Sequence, residues 1–81
     1  MMKFNKTSQE YKKLNNFIRN EMRSQKVSQS DIAYSLNLTQ GSVSQKLSGQ
    51  TDWSLWEVLN IFEILGINFN YEEGKNNEER I

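Results

Sequence analysis

The stretch that decides the fold is residues 28–49, SQSDIAYSLNLTQGSVSQKLSG. Ser28 followed three residues later by Asp31 is an N-cap signal. The Ser hydroxyl can accept from the Asp31 backbone N–H, and a carboxylate suits the positive end of a helix. A helix over about 29–36 is therefore predicted. Asn37 ends it, because Asn tolerates the left-handed backbone conformation that is common at helix C-termini.

The second half of the stretch predicts another short helix. Thr39 is a further N-cap candidate, and the helix runs from residue 40 to about 47. Its apolar stripe is thin, because only Val43 and Leu47 contribute to it, and Gly49 ends the helix. The remaining side chains are amides, hydroxyls and one Lys.

Two features bring these helices together. A three-residue turn separates them, and we expect its one apolar residue, Leu38, to point into the core. The small side chain of Ala33 lets the two helices cross closely. The stretch thus predicts two packed short helices, the second of which has a wide polar side that the core does not use.

A longer amphipathic helix precedes this pair. Thr7 and Glu10 have the spacing of a capping box, which predicts a helix over about 8–24. Its apolar residues recur every three or four positions, as on one face of a helix. They are Tyr11, Leu14, Phe17, Ile18 and Met22.

A fourth helix follows the pair. Ser54 and Glu57 form a second capping box, and the helix is predicted over about 54–65. It is apolar nearly all round. Such a helix is either the central core helix, or core on one side and a subunit interface on the other.

The end of the chain has two further segments. Residues 67–71 alternate apolar and polar side chains, the period of a strand, which would pair with residues 3–5 or with the same segment of a second subunit. Residues 72–81 form a charged tail that we expect to be disordered. The predicted fold is all-α, a compact four-helix domain over residues 1–71 with an optional short C-terminal strand.

Composition excludes most catalytic chemistry. The chain has 81 residues, enough for one domain, and contains neither His nor Cys. The usual general base, the thiol nucleophile and the commonest metal ligands are therefore missing, and we expect no enzyme, no metal and no cofactor. Asp52, Glu57 and Glu63 have the spacing of caps and a solvated stripe rather than of a metal site.

Neither a membrane span nor a secretory signal is evident. No apolar run is long enough to cross a bilayer, and the first residues lack the apolar segment of a signal peptide. We therefore expect a cytoplasmic protein that makes no contact with a membrane.

Charge is unevenly distributed along the chain, although the formal net charge is zero. Residues 1–50 hold eight Lys and Arg against three Asp and Glu, which is +5, and residues 51–81 hold two against seven, which is −5. Such asymmetry is typical of a basic binding face with an acidic end kept away from it, unless folding interleaves the charges.

The polar side of the second short helix suits base recognition in double-stranded DNA. Gln carries a donor and an acceptor side by side and can bond adenine at N6 and N7 in the major groove. Gly41 and the neighbouring serines leave room for close approach to DNA. Alternatively, Gln40 has no role in base recognition and is a solvated residue that follows an N-cap.

Residues 28–49 resemble the helix-turn-helix of the lambda repressor and Cro family. The residues that carry the resemblance are Gln29-x-x-Ile32-Ala33-x-x-x-Asn37-x-Thr39-Gln40-x-Ser42-Val43-Ser44-x-x-Leu47-x-Gly49. The flanking helices extend it over residues 10–67. The resemblance implies a transcriptional regulator of phage or mobile-element type, a homodimer that binds a palindromic operator in double-stranded DNA with helix 40–47 in the major groove.

The resemblance also implies roles for individual residues. The residues implied to contact DNA bases are Gln40, Gly41, Ser42, Ser44 and Gln45. Those implied to contact phosphates are Gln29, Lys46, Gln50 and Thr51, and Gln29 is also expected to brace Gln40. The dimer interface would contain Trp56, Phe62, Ile67, Phe69 and Tyr71.

Two positions depart from the family pattern. The family usually has Gly where this chain has Asn37, and an apolar residue where it has Lys46. The stem of Lys46 either covers the core, with the ammonium reaching water, or the helix shifts the face that it presents.

Two other functions remain open from the sequence. The same fold could be a module that binds a protein, which suits the zero net charge, the apolar fourth helix and the single Lys on the third. Trp53 and Trp56 could be a stacking platform for single-stranded nucleic acid, although beside so apolar a helix they are more often core or interface residues.

Overall fold

The computed structural model describes residues 4–68 and contains four α-helices in this range. Helix α1 spans Phe4–Gln25, α2 spans Gln29–Leu36, α3 spans Gln40–Ser48 and α4 spans Leu55–Ile64. The predicted all-α, four-helix architecture is confirmed.

The start of α1 differs from the prediction. The helix begins at Phe4, so the predicted start near residue 8 is wrong and Thr7 lies inside the helix instead of capping it. A capping box forms only where the chain enters a helix, because its N-cap residue is not itself helical, and here the chain is already helical before Thr7. The other three helices begin and end within one residue of the predicted positions.

Three of the predicted N-caps are confirmed by their hydrogen bonds. The Ser28 hydroxyl accepts from the Asp31 backbone N–H at 3.0 Å, and the Asp31 carboxylate accepts from the Ser28 backbone N–H at 2.9 Å. The bond from the backbone N–H, followed by the bond with the hydroxyl, lowers the pKa of the Asp31 carboxyl below its ordinary value. Ser54 and Glu57 form the same reciprocal pair at the start of α4. At the start of α3, the hydroxyl of Thr39 accepts a hydrogen bond from a backbone N–H in the first turn of the helix.

The turn between α2 and α3 depends on Asn37. This residue has φ 60° and ψ 44°, the left-handed conformation that the sequence predicted. The reversal lets the Leu38 N–H donate to the Ala33 carbonyl at 2.8 Å. The Leu38 side chain is half-buried and packs against the core, as predicted.

Every helix contributes one fully buried branched residue to a shared core. These residues are Ile18 of α1, Ile32 of α2, Val43 of α3 and Ile61 of α4. Trp53, in the loop between α3 and α4, is 7% exposed and belongs to the same cluster. One core therefore holds all four helices.

Helix α4 is buried on one side only, so the first alternative, a central core helix, is wrong. Leu55, Trp56 and Leu59 are 73%, 62% and 40% exposed, and we call them the α4 apolar face. The opposite side of the helix packs into the core. An interface role for the exposed side stays a prediction.

The structure corrects part of the predicted dimer interface. Phe62 is 7% exposed and packs within the core, with its ring centroid 6.0 Å from that of Phe17. Ile67 is half-buried and packs against the same core, and its N–H donates to the Phe62 carbonyl at 2.8 Å. Phe69 and Tyr71 lie outside the described residues.

Residues 4–68 contain no strand. The predicted strand at 67–71 lies mostly outside this range, and residues 67 and 68 have no regular structure. The predicted tail at 72–81 also lies outside it. None of the helices within residues 4–68 is both long and apolar enough to cross a membrane.

Replacing Asn37 tests the turn. We expect Asn37→Ala to lower the free energy of unfolding by about 1 kcal/mol, because Ala is strained at positive φ. Asn37→Gly is expected to stay within about 1 kcal/mol of the wild type, because Gly adopts this conformation without strain. Urea unfolding followed by circular dichroism measures both variants. Equal stability of the two variants would show that the left-handed conformation is not required.

Candidate nucleic-acid interface

One side of α3 is exposed and carries no charge. Its exposed residues, which we call the α3 polar face, are Gln40, Gly41, Ser44, Gln45 and Ser48. At about 100° per residue these positions share one side of the helix. Val43 and Leu47 are 0% and 3% exposed and hold the other side against the core. Four of the five residues predicted to contact bases therefore lie together on the surface, whereas Ser42 is half-buried.

Gln40, at the start of α3, is held by a residue that the sequence analysis missed. The Ser30 hydroxyl donates to Gln40 Oε1 at 3.0 Å, and both residues are exposed. The predicted brace, Gln29, is half-buried and makes no such bond. Ser30 precedes Gln40 by ten positions and faces it across the turn. No signal in the sequence distinguishes Ser30 from its neighbour Gln29 as the partner of Gln40.

Lys46 has an internal role in place of the free charge that a phosphate contact requires. Its Nζ lies 3.3 Å from Glu57 Oε1 and donates to the Asp52 carbonyl at 2.8 Å. The ammonium also lies 5.7 Å from the centre of the Trp53 ring, and the Lys46 side chain is 15% exposed.

The position of Lys46 on α3 explains this role. It lies at least about 100° around the helix from every residue of the α3 polar face. The sequence left open whether the stem of Lys46 covers the core or the helix shifts the face that it presents. In the structure the stem packs on the protein, and the ammonium contacts Glu57 at the start of α4 and the Asp52 carbonyl.

Gln50 and Thr51, which are predicted to contact phosphates, follow α3 and are exposed. Gly49 has φ 90° and ends the helix, and the backbone N–H groups of Gln50 and Thr51 both donate to the Gln45 carbonyl, at 2.9 and 3.3 Å. These bonds hold the backbone of Gln50 and Thr51 against the C-terminal end of α3. Gln29 lies at the start of α2, beside Arg23, and both line a shallow depression.

Helix α1 anchors the C-terminal end of α3 through contacts that the sequence did not predict. Arg19 Nη2 donates to the Leu47 carbonyl at 2.7 Å, which satisfies an acceptor at the end of α3. Asn15 is 4% exposed, and its Oδ1 accepts from Trp53 Nε1 at 2.8 Å. The Trp53 backbone N–H donates to the Tyr11 hydroxyl. Asn15 lies among the apolar positions of α1, and that was the signal available in the sequence.

The two tryptophans have different surroundings. Trp53 is buried and its ring N–H is bonded, so it offers no surface for base stacking. Trp56 is exposed on the α4 apolar face. Within residues 4–68 no three acidic side chains come together in a group that could hold a metal ion. The arrangement therefore offers hydrogen-bonding amides and hydroxyls on α3 and apolar contacts on α4.

The chain matches no model of a known protein family, no curated protein and no solved structure.

Replacing Lys46 tests its internal role. We expect Lys46→Ala to lower the free energy of unfolding by about 1–3 kcal/mol, because it removes a charged donor from the partly buried Glu57 carboxylate and from the Asp52 carbonyl. Lys13→Ala is the matched control, since Lys13 makes an exposed pair with Glu10 at 3.4 Å and such pairs contribute little. Urea unfolding measures both, and equal stabilities would mean that Lys46 does not fasten α3 to α4.

Proposed function

We propose that this chain binds double-stranded DNA sequence-specifically, with α3 in the major groove, as a cytoplasmic regulator of transcription. The α3 polar face carries this proposal. An exposed helix face without a single ionised group is unusual for a solvated surface, whereas amides and hydroxyls suit the donors and acceptors of base edges. The major groove is about 12 Å wide, which matches the diameter of a helix with its side chains.

The hydrogen bond that orients Gln40 supports the same proposal. A base-reading side chain discriminates best when its orientation is set before binding, because less rotamer entropy is then lost. The Ser30 hydroxyl holds Gln40 Oε1 and leaves the amide N–H groups available. In the proposed complex Gln40, Gly41, Ser44 and Gln45 face the bases.

Phosphate contacts in the proposed complex come from residues at the ends of the helices. Gln29 lies at the start of α2, where backbone N–H groups and the helix dipole favour an anion. Gln50 and Thr51 project beyond the end of α3. Lys46 is not included, because a phosphate contact would require it to leave Glu57 and the Asp52 carbonyl.

We propose further that the chain acts as a homodimer through the α4 apolar face. Leu55, Trp56 and Leu59 are large apolar residues that the described residues leave open to water, and clustered exposure of this kind marks interaction surfaces. This assignment replaces the predicted Phe62 with residues that a partner can reach. A two-fold dimer would read a palindromic site with half-sites about 34 Å apart.

A protein partner is the second candidate function. The α4 apolar face and the uncharged surface of α3 would serve a protein as well as they serve a second subunit and DNA. A catalytic function is not proposed, because the chain has no His and no Cys.

Selection of bound duplexes from a random DNA pool tests DNA binding. We expect enrichment of one sequence with two-fold symmetry, and affinity that falls as the salt concentration rises. If no sequence is enriched and binding does not depend on salt, the chain is not a DNA-binding regulator. Recovery of one bound protein by the same purified chain would then favour the second candidate.

Variants of the Ser30–Gln40 pair test the role of α3. Gln40→Ala is expected to relax preference at one base pair, at a cost of about 1–3 kcal/mol, and Ser30→Ala to relax it at the same pair by less. Ser30→Thr keeps the hydroxyl and is expected to restore the preference. Ser35→Ala, at another exposed serine of α2, is the control and is expected to change nothing. Unchanged preference in Gln40→Ala would rule out α3 as the reading helix.

Sedimentation analysis of Trp56→Ala tests the dimer. We expect the wild type to dimerise and the variant to be monomeric at the same concentration, because Trp56 supplies the largest side chain of the α4 apolar face. Tyr34→Ala is the matched control, since Tyr34 is an aromatic residue that is 90% exposed on α2. A wild type that stays monomeric at every concentration would contradict the dimer.

A further inference from the structure

Helix α1 carries a basic stripe along one side. Lys12, Asn16, Arg19 and Arg23 follow one another at steps of four, three and four residues, so they lie within about 60° of one another around the helix. We call these four residues the α1 basic stripe. The acidic residues of α1 within the described side chains, Glu10 and Glu21, lie on a different side of the helix.

The α1 basic stripe lies beside α2 and α3. Lys12, Asn16 and Arg19 line an open groove whose other wall contains Ser48 and Gly49, at the C-terminal end of α3. Ser48 also belongs to the α3 polar face. The stripe therefore borders the surface that the proposed function assigns to DNA.

The far end of the stripe reaches the start of α2. Arg19 and Arg23 line the shallow depression that also contains Ser28 and Gln29. The side of α1 that carries Phe17 instead packs toward Phe62 of α4. Helix α1 therefore turns the cations of the stripe toward α2 and α3, and turns an aromatic residue toward α4.

The charges of the stripe are available to an anion. Lys12 and Arg23 are exposed, and Arg23 Nη1 donates only to the neutral Asn20 Oδ1, at 2.9 Å. Arg19 donates to two neutral acceptors, the Asn16 side chain and the Leu47 carbonyl, so no carboxylate is paired with it. The acidic groups at the edges are Asp52, which lines the same groove, and Asp31, in the first turn of α2.

We propose that the α1 basic stripe binds the phosphodiester backbone that borders the groove occupied by α3. This inference rests on the proposed function and identifies the source of its electrostatic attraction. Lys46 is the only cation of α3, and it is used inside the protein. From Lys12 to Arg23 the stripe extends over about 16 Å, long enough to face several phosphates of one strand.

The test measures binding of the full chain to a random-sequence duplex pool at several salt concentrations. Non-specific binding of this kind reports phosphate contacts directly. Lys12→Gln and Arg23→Gln are each expected to reduce the slope of log affinity against log salt by about 0.9, and to leave preference in the selected site unchanged. Lys13→Gln is the control, because Lys13 is exposed on another side of α1 and loses the same charge.

Each outcome decides one point. The stripe proposal is overturned if both stripe variants keep the slope of the wild type, or if Lys13→Gln reduces the slope as much as they do. In either case, sequence-specific binding by the wild type still upholds the proposed function. A wild type with no salt-dependent binding overturns both. Melting temperatures show that each variant is folded. Should Arg23→Gln unfold, Lys12→Gln decides by itself, because Lys12 bonds to no other element in the described structure.

Discussion

The rest of the structure depends on the contacts that fix helix α3 to the other helices. A helix of nine residues is not stable in water by itself, and α3 buries only Val43 and Leu47. Polar anchors add to this small apolar contact. Arg19 of α1 donates to the Leu47 carbonyl, and Lys46 joins the helix to Glu57 at the start of α4.

These anchors separate the inner and outer sides of α3 by charge as well as by polarity. The one cation of the helix lies on the inner side, which leaves the outer side neutral and able to hydrogen-bond without attracting counter-ions. A surface of this kind discriminates between partners by the pattern of donors and acceptors, while attraction over longer distances must come from other elements. Helix α1 has cations on the side that faces α2 and α3, so in the proposed function the two tasks fall on different helices that share one core.

The exposed apolar residues of α4 follow from the same packing. The core of a domain this small needs one side of α4, and Val58, Ile61 and Phe62 fill it. Leu55, Trp56 and Leu59 are then left in water, where their exposure has a free-energy cost unless a second chain covers them. Lys46 contacts Glu57 of the capping box at the start of α4, so it joins α3 to the helix that carries the α4 apolar face.

The amino-acid sequence by itself determined the four helices, three of their N-terminal caps, the left-handed turn at Asn37 and the chemical character of the α3 polar face. These features depend on hydrogen bonds and side-chain periodicity within about one helical turn, and such short-range interactions are visible in the order of residues. Only the tertiary structure decided that Lys46 faces inward, that Ser30 and not Gln29 holds Gln40, that Phe62 is core and that α4 has an exposed side. Each of these depends on contacts between elements far apart in the chain or on how the elements cross. A local pattern records which side of a helix is apolar, but not which neighbour will cover it.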